Sequence, residues 1–307
     1  MTQVILGAGG DIGILLAKAL KDYTSNIRLV CRNPRQVNGD DQLLKADLLH
    51  AQQVHRALEG AHVAYLTAGL SYDLRIWKKD WPRIIKHVIE ACLAQQVKLV
   101  FFDNVYLYDQ AQMGHMQENT RHDPPSQKGL LRQQLIQALE EARIQRGLEV
   151  LIARSADFYG PGSNNGILNM LVLNALQEGK KPLWQCRTDR IHSFTYTPDA
   201  AKACALLGNT PKAYNQVWHL PTSDEKWTGA DYISYASKLK GKPPKCFILK
   251  PWMFRLGGVF NRRIRELSEM QYQNDRDYFF DSQKFNRTFN FTPTPYREGI
   301  QSVLNLD

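Results

Sequence analysis

Gly7, Gly10 and Gly13 stand three residues apart, directly after the apolar run Val4-Ile5-Leu6 and just before Leu15, Leu16, Ala19 and Leu20, which fall at helical spacing. The order strand, glycines, helix suits one task, the cradling of a pyrophosphate. The first glycine permits a tight strand-to-helix turn, the second lets backbone amides approach phosphate oxygens, and the third lets the helix pack close to the strand. N–H groups at the helix start then face the anion, and Asp11 and Ile12 are expected beside it. Isolated glycine triplets of this spacing also turn chains without binding anything, so the signal rests on the flanking strand and helix.

A second clue lies at the end of the next apolar run, Val30-Cys31-Arg32-Asn33-Pro34-Arg35. An Asp or Glu placed there accepts hydrogen bonds from the free ribose hydroxyls of NAD. This chain offers no acid and two arginines, and Arg32 suits a 2′-phosphate. NADP is therefore the expected cofactor; NAD is the alternative if Arg32 only stacks on adenine.

The elements that must position these residues follow a rhythm. Apolar runs of strand length recur at 4–6, 27–31, 63–67, 99–103 and 150–154, with helical patterns at 51–58, 82–94, 128–145 and 165–178. Gly60 and Gly147 close two of the helices. Alternation of this kind predicts an α/β fold, a Rossmann-type doubly wound parallel sheet with a smaller, mostly C-terminal lobe. The boundary is placed at 155: residues 1–155 form the dinucleotide-binding domain, and 156–307 a mixed region with a substrate lobe and elements that can return to the main sheet. Short strand-like segments at 194–197 and 217–220 are the candidates for that return, with a helix beginning near Asp199.

Composition narrows the class. The chain has 307 residues, with 39 Lys and Arg against 30 Asp and Glu and a net charge of +9. Local basic clusters stand at Arg255, Arg262, Arg263 and Arg265 and at Lys238, Lys240, Lys242 and Lys245. They are read as a solvated face or as attraction for anionic small molecules; no recognised module or aromatic-interleaved basic stripe points to nucleic acid. The most apolar late stretch, 251–260, is too short to span a bilayer, so it is read as a buried or lid-like helix and no membrane partner is expected. No export signal is visible, which implies the cytoplasm. Five widely spaced cysteines without a C-x-x-C pair argue for reduced thiols, and the eight histidines show no metal-ligand spacing, so no metal site is expected. His192, Ser193 and Asp199 lie within eight residues and mark a strand-to-helix junction rather than a hydrolase triad.

Taken in order, several landmarks resemble the extended short-chain dehydrogenase/reductases, the family of nucleotide-sugar epimerases and dehydratases. They are Gly7-x-x-Gly10-x-x-Gly13, the acidic turn Ala46-Asp47-Leu48, Leu66-Thr67-Ala68-Gly69 at the end of the fourth strand, Arg154-Ser155-Ala156-Asp157-Phe158-Tyr159-Gly160-Pro161-Gly162, and the stretch from His192 to a helix-capping Asp199. The resemblance implies that Asp47, Leu48 and Ala68 join the glycines at the cofactor. It also implies a sugar-like, oxygen-rich and possibly nucleotide-linked anionic substrate, oxidoreductase or isomerase chemistry, and a homodimer formed through the helices at 82–94 and 128–145.

The family's proton transfer relies on Tyr-x-x-x-Lys, in which the lysine lowers the tyrosine pKa, with a Ser or Thr holding the substrate oxygen. This chain lacks that pair. Sliding the pattern onto Pro124-Pro125-Ser126-Gln127-Lys128-Gly129-Leu130-Leu131-Arg132 puts Lys128 at the tyrosine and Arg132 at the lysine, while Asn104 falls where the Ser or Thr would stand. Either the site is rewired, with Lys128 as base beside Arg132, Asn104 binding a carbonyl or hydroxyl and Tyr106 or Tyr108 supplying a phenol, or catalysis is lost. In the second case Lys128 and Arg132 only grip cofactor oxygens, and the protein senses NADP(H) or stabilises a partner.

Overall fold

The computed structural model describes residues 1–163 and 165–304, the side chain of Arg263 apart. Strand β1 (Thr2–Leu6) runs through the glycine loop into α1 (Asp11–Ala19), followed by β2 (Ile27–Cys31), β3 (Gln42–Lys45), α2 (Ala51–Ala57), β4 (Ala61–Leu66), α3 (Leu74–Gln95), β5 (Lys98–Asn104), α4 (Gln127–Arg146) and β6 (Val150–Ser155). Next come β7 (Asp157–Tyr159), α5 (Asn174–Gln177), β8 (Leu183–Gln185), β9 (Phe194–Tyr196), α6 (Thr197–Gly208) and β10 (Val217–His219). The chain ends with α7 (Gly229–Leu239), β11 (Phe247–Leu249), α8 (Pro251–Phe260), α9 (Arg262–Ser268), α10 (Gln283–Phe289) and α11 (Tyr296–Leu304).

The main sheet has seven strands in the order β10-β6-β5-β4-β1-β2-β3, and β1 pairs in parallel with both β2 and β4. The order therefore reverses at β1, the expected doubly wound arrangement, and that reversal is where open α/β sheets hold ligands. The expected return to the sheet takes place at β10, whereas β9 pairs with β7 in a sheet of its own. Strand β3, Gln42-Leu43-Leu44-Lys45, escaped the sequence pattern because it is a four-residue edge strand with no buried residue and no alternation of apolar and polar side chains.

Two helices differ from expectation. Helix α3 starts at Leu74 and not at Pro82, since Asp73 caps it by accepting from the Arg75 N–H at 2.9 Å and the burial of Trp77 and Trp81 outweighs the proline inside the helix. Helix α8 is not buried: Phe254 and Gly258 face inward, but Val259 and Phe260 are 73% and 87% exposed. No helix among the described residues is long and apolar enough to cross a membrane.

The chain divides into two compact units. One comprises Met1–Asp103, Leu131–Arg154 and Ala200–Trp218; the other comprises Asn104–Leu130, Ser155–Asp199 and His219 onward. A single cut at 155 assigns 104–130 and 200–218 differently, because the loop after β5 leaves the sheet and α6 with β10 comes back to it. In the second unit the core is aromatic, with Tyr159, Phe194, Tyr232 and Tyr296 fully buried around Trp184.

The core of the first unit contains charge. Asp103 accepts from the Arg132 Nε at 2.9 Å and from the Arg154 Nε at 3.0 Å, and the Arg132 guanidinium also lies over the edge-to-face Trp81 and Phe101 rings, at 5.0 and 4.9 Å. Breaking a buried ion pair by removing one partner strands the other charge out of water. Asp103→Asn should therefore lower stability by about 3–5 kcal/mol in urea unfolding. Lys21→Ala, which breaks the exposed pair with Asp40, should cost less than about 1 kcal/mol.

Candidate active site

The glycine loop is built as its spacing requires. Gly7 has φ +99°, a left-handed conformation, and a Cβ there would strike the backbone of Ala68, so the first glycine brings the end of β1 against the second residue after β4. A Cβ on Gly13 would meet Ala8 Cα at 2.8 Å and the Gly7 carbonyl at 2.9 Å, which is the close helix packing assigned to the third glycine. Gly10 is the N-cap of α1 and brings no side chain to that end of the helix, while a Cβ on it would find only the Gly7 carbonyl, at 3.8 Å. The positive end of the α1 dipole thus carries no capping oxygen of the N-cap residue, as a phosphate cradle needs.

Other expected cofactor residues border the same strand ends. Ala68 touches the loop, Ile12 is buried in the first turn of α1, and Arg32 is exposed one residue beyond β2. Asp47 folds into a local turn, accepting from the Leu49 N–H at 3.0 Å, and Leu48 is buried with its carbonyl against His87 Nδ1 at 3.0 Å. These residues, from four strand-end segments of the first unit, fit a dinucleotide: a glycine cradle for the phosphates and, in Arg32, a cation for a ribose phosphate.

The residues aligned with the proton-transfer pair are placed differently. Lys128 is completely buried, and its Nζ donates to Glu266 Oε2 at 2.6 Å, Glu269 Oε2 at 2.9 Å and the Glu266 carbonyl at 3.2 Å. An ammonium has three N–H donors, and this set of acceptors engages them all. The second oxygen of Glu269 accepts the backbone N–H groups of Gln127 and Lys128, so one carboxylate pairs with the lysine and also caps α4. Ser126 adds an ordinary cap, its Oγ accepting from Gly129 N at 3.0 Å. Arg132 is likewise consumed, by Asp103 and two aromatic rings.

Asn104 and Tyr106 belong to the same unit as Lys128. Asn104 Oδ1 accepts from Tyr106 N at 3.1 Å, and a Cβ on Gly129 would strike the Tyr106 carbonyl, so this loop presses on the first turn of α4. Tyr108 is turned inward, its hydroxyl 2.6 Å from His219 Nε2. The nearby phenols of Tyr272 and Tyr278 are no bases at neutral pH, since burial pushes the first to about 12 and burial with the Asp157 charge holds the second well above its ordinary value.

Several groupings were not legible in the sequence. His192 Nε2 lies 2.9 Å from Asp157 Oδ2, and its ring stacks on Tyr278 at 4.3 Å. Ser193 Oγ accepts from Phe280 N at 3.0 Å, and Asp199, in the first turn of α6, receives Thr294 N at 2.7 Å. The three residues make separate contacts and no triad. Glu266 and Glu269 were missed outright; their one sequence signal is an i, i+3 pair of acids ending a basic run.

The sequence pattern of the NAD dependent epimerase/dehydratase family matches residues 3–219. The chain belongs to that family. Among solved structures it is similar to the UDP-glucose 4-epimerase of Thermus thermophilus complexed with NAD, at 16% identity and a TM-score of 0.78, over 99% of this chain and 98% of that one. It is also similar to the UDP-glucuronic acid 4-epimerase of Bacillus cereus in complex with UDP-glucuronic acid and NAD, at 18% identity and a TM-score of 0.80, with the same coverage. Both likenesses concern the fold. No curated protein matches the chain. Family membership covers the glycine loop and both positions of the proton-transfer pair, and the cluster around Lys128 lies within it except for its glutamates.

If Lys128 is a clamp, its loss should appear first in stability. Lys128→Met leaves two carboxylates facing an apolar side chain and should destabilise the protein by about 3–5 kcal/mol, read as a lowered urea midpoint. Arg143→Met, at a partly exposed pair with Glu140, should stay within about 1 kcal/mol.

Proposed function

We propose that the protein binds NADP(H) through Gly7, Gly10, Asp11, Ile12, Gly13, Arg32, Asp47, Leu48 and Ala68, and that Lys128 acts as a clamp and transfers no proton. The observation behind this reading is that all three donors of the Lys128 ammonium are engaged by Glu266 and Glu269. A bound nicotinamide supplies hydride transfer. In this chain the residues of the family's proton-transfer pair instead secure α4 on its neighbours, as suits a dinucleotide-binding protein that senses NADP(H) or stabilises a partner. The absence of an acid after β2 and the exposed Arg32 favour the 2′-phosphate form of the cofactor over the NAD found in the two related structures.

One observation supports a second reading, a rewired oxidoreductase or isomerase acting on an oxygen-rich, possibly nucleotide-linked sugar. Asn104 and the half-buried Tyr106 lie against the first turn of α4, so a phenol and an amide accompany the altered pair. In that case Tyr106 would exchange the proton, Asn104 would orient the reacting oxygen, and Lys128 and Arg132 would only position them. A homodimer through α3 and α4 suits either reading, with Leu130 and Ile144 exposed on α4.

Titration of NADPH and NADH by fluorescence or calorimetry decides the binding claim. NADPH should bind more tightly, Arg32→Ala should weaken NADPH by about tenfold and leave NADH unchanged, and Gly13→Val should abolish both. Failure of both cofactors to bind overturns the proposal, and an NADH preference removes the role of Arg32. Turnover of UDP-sugars with either cofactor, lost in Tyr106→Phe, would replace the first reading with the second.

A further inference from the structure

The net charge of the chain has one address. Between Asp231 and Glu266 there is no acidic residue, and the stretch 232–265 holds nine basic ones: Lys238, Lys240, Lys242, Lys245, Lys250, Arg255, Arg262, Arg263 and Arg265. The whole chain carries +9, so the rest of it is neutral by formal charge. Lys238, Lys242, Lys245, Lys250, Arg255 and Arg265 are exposed. Of the glutamates that end the stretch, Glu269 is turned to Lys128, and Glu266 is shared between Lys128 and Arg262, at 3.8 Å from the Arg262 Nε.

Helix α8 lies in the middle of this basic stretch and has two apolar faces. Phe254 and Gly258 form the inner one, where a Cβ on Gly258 would meet Arg265 Cα at 3.0 Å, so α8 and α9 are packed together as a hairpin. Trp252, Leu256, Val259 and Phe260 form the outer one, at spacing i, i+4, i+7 and i+8, and are 56%, 58%, 73% and 87% exposed. Phe247, just upstream, is exposed as well. A single exposed leucine needs no explanation, but four large apolar side chains on one stripe of a ten-residue helix, within a sequence stretch that holds nine basic and no acidic residues, do.

We propose that the α8 stripe and its surrounding lysines and arginines dock on an anionic phospholipid bilayer, the helix lying in the plane of the interface. Apolar side chains enter the boundary between headgroups and acyl chains, a tryptophan sits at headgroup level, and basic side chains reach the lipid phosphates. A second copy of this chain fits less well, because self-association would bring two strongly positive stretches together. A nucleic acid would use the cations but leave Leu256 and Val259 without a role, since such surfaces stack bases on aromatic or guanidinium planes. Docking on lipid replaces the expectation of no membrane partner, which rests on spanning length alone; a helix too short to span can lie in the interface plane.

Co-sedimentation of the full chain with vesicles tests this directly. The protein should partition into phosphatidylcholine vesicles containing about one-third phosphatidylglycerol at least about tenfold more strongly than into phosphatidylcholine alone, and less so as salt rises. Leu256→Ser with Phe260→Ser should reduce that binding about tenfold, as should Lys242→Gln with Lys245→Gln and Lys250→Gln. All five side chains are exposed, so melting temperatures should stay unchanged, and Trp252 fluorescence, isolated by difference from Trp252→Phe, should shift to the blue with lipid. No partition into anionic vesicles overturns the proposal. So does equal binding by the apolar double variant, which would leave only a polyanion site, or a lipid-free dimer broken by Leu256→Ser, which would give the surface to a second copy.

Discussion

A charge taken out of water must meet its counter-charge inside the protein, and this requirement governs helix α4. Lys128 is bound to Glu266 and Glu269, and Arg132, one turn later, is bound to Asp103 and faces two aromatic rings. Glu269 additionally occupies the start of the helix, where backbone N–H groups would otherwise lack partners. Sequence-distant acids thereby fix the helix that carries the family's chemistry. A tyrosine and a lysine at these positions would be a reacting group and its activator; a lysine and an arginine, each held by carboxylates, form a structural joint.

The glycine loop is set by its own residues. The turn at Gly7, the tight packing at Gly13 and the cap at Gly10, which brings no side chain, are backbone features set by three glycines, and they need nothing from α4. On the proposed reading, binding and chemistry are separable, because the glycine loop and the Lys128 cluster are built from different residues. Substrate class does not follow from the fold, because relatives at 16–18% identity share architecture without fixing which oxygen atoms are recognised.

Much of the fold was legible because local rules were obeyed. β2 has the bounds of its apolar run, and the glycine loop opens the helix expected after it. Failures occurred where local preference was overridden or absent: Pro82 lies inside a helix capped at Asp73, and the short edge strand β3 has only two adjacent leucines and no alternation to betray it. The site was legible in its glycines, whose function depends on sequence neighbours. It was illegible in the acids of Lys128, which lie some 140 residues away and are recruited by the tertiary fold alone. The expectation that Arg132 would tune Lys128 failed to foresee that each would have its own carboxylate.

A crystal structure of the NADPH complex tests the central claim most directly, because it shows where the Lys128 ammonium goes when the cofactor is present. The account predicts that Nζ still donates to Glu266 and Glu269, with no ribose or nicotinamide atom within hydrogen-bond distance. A lysine that has left both glutamates to bind the ribose or nicotinamide would contradict it.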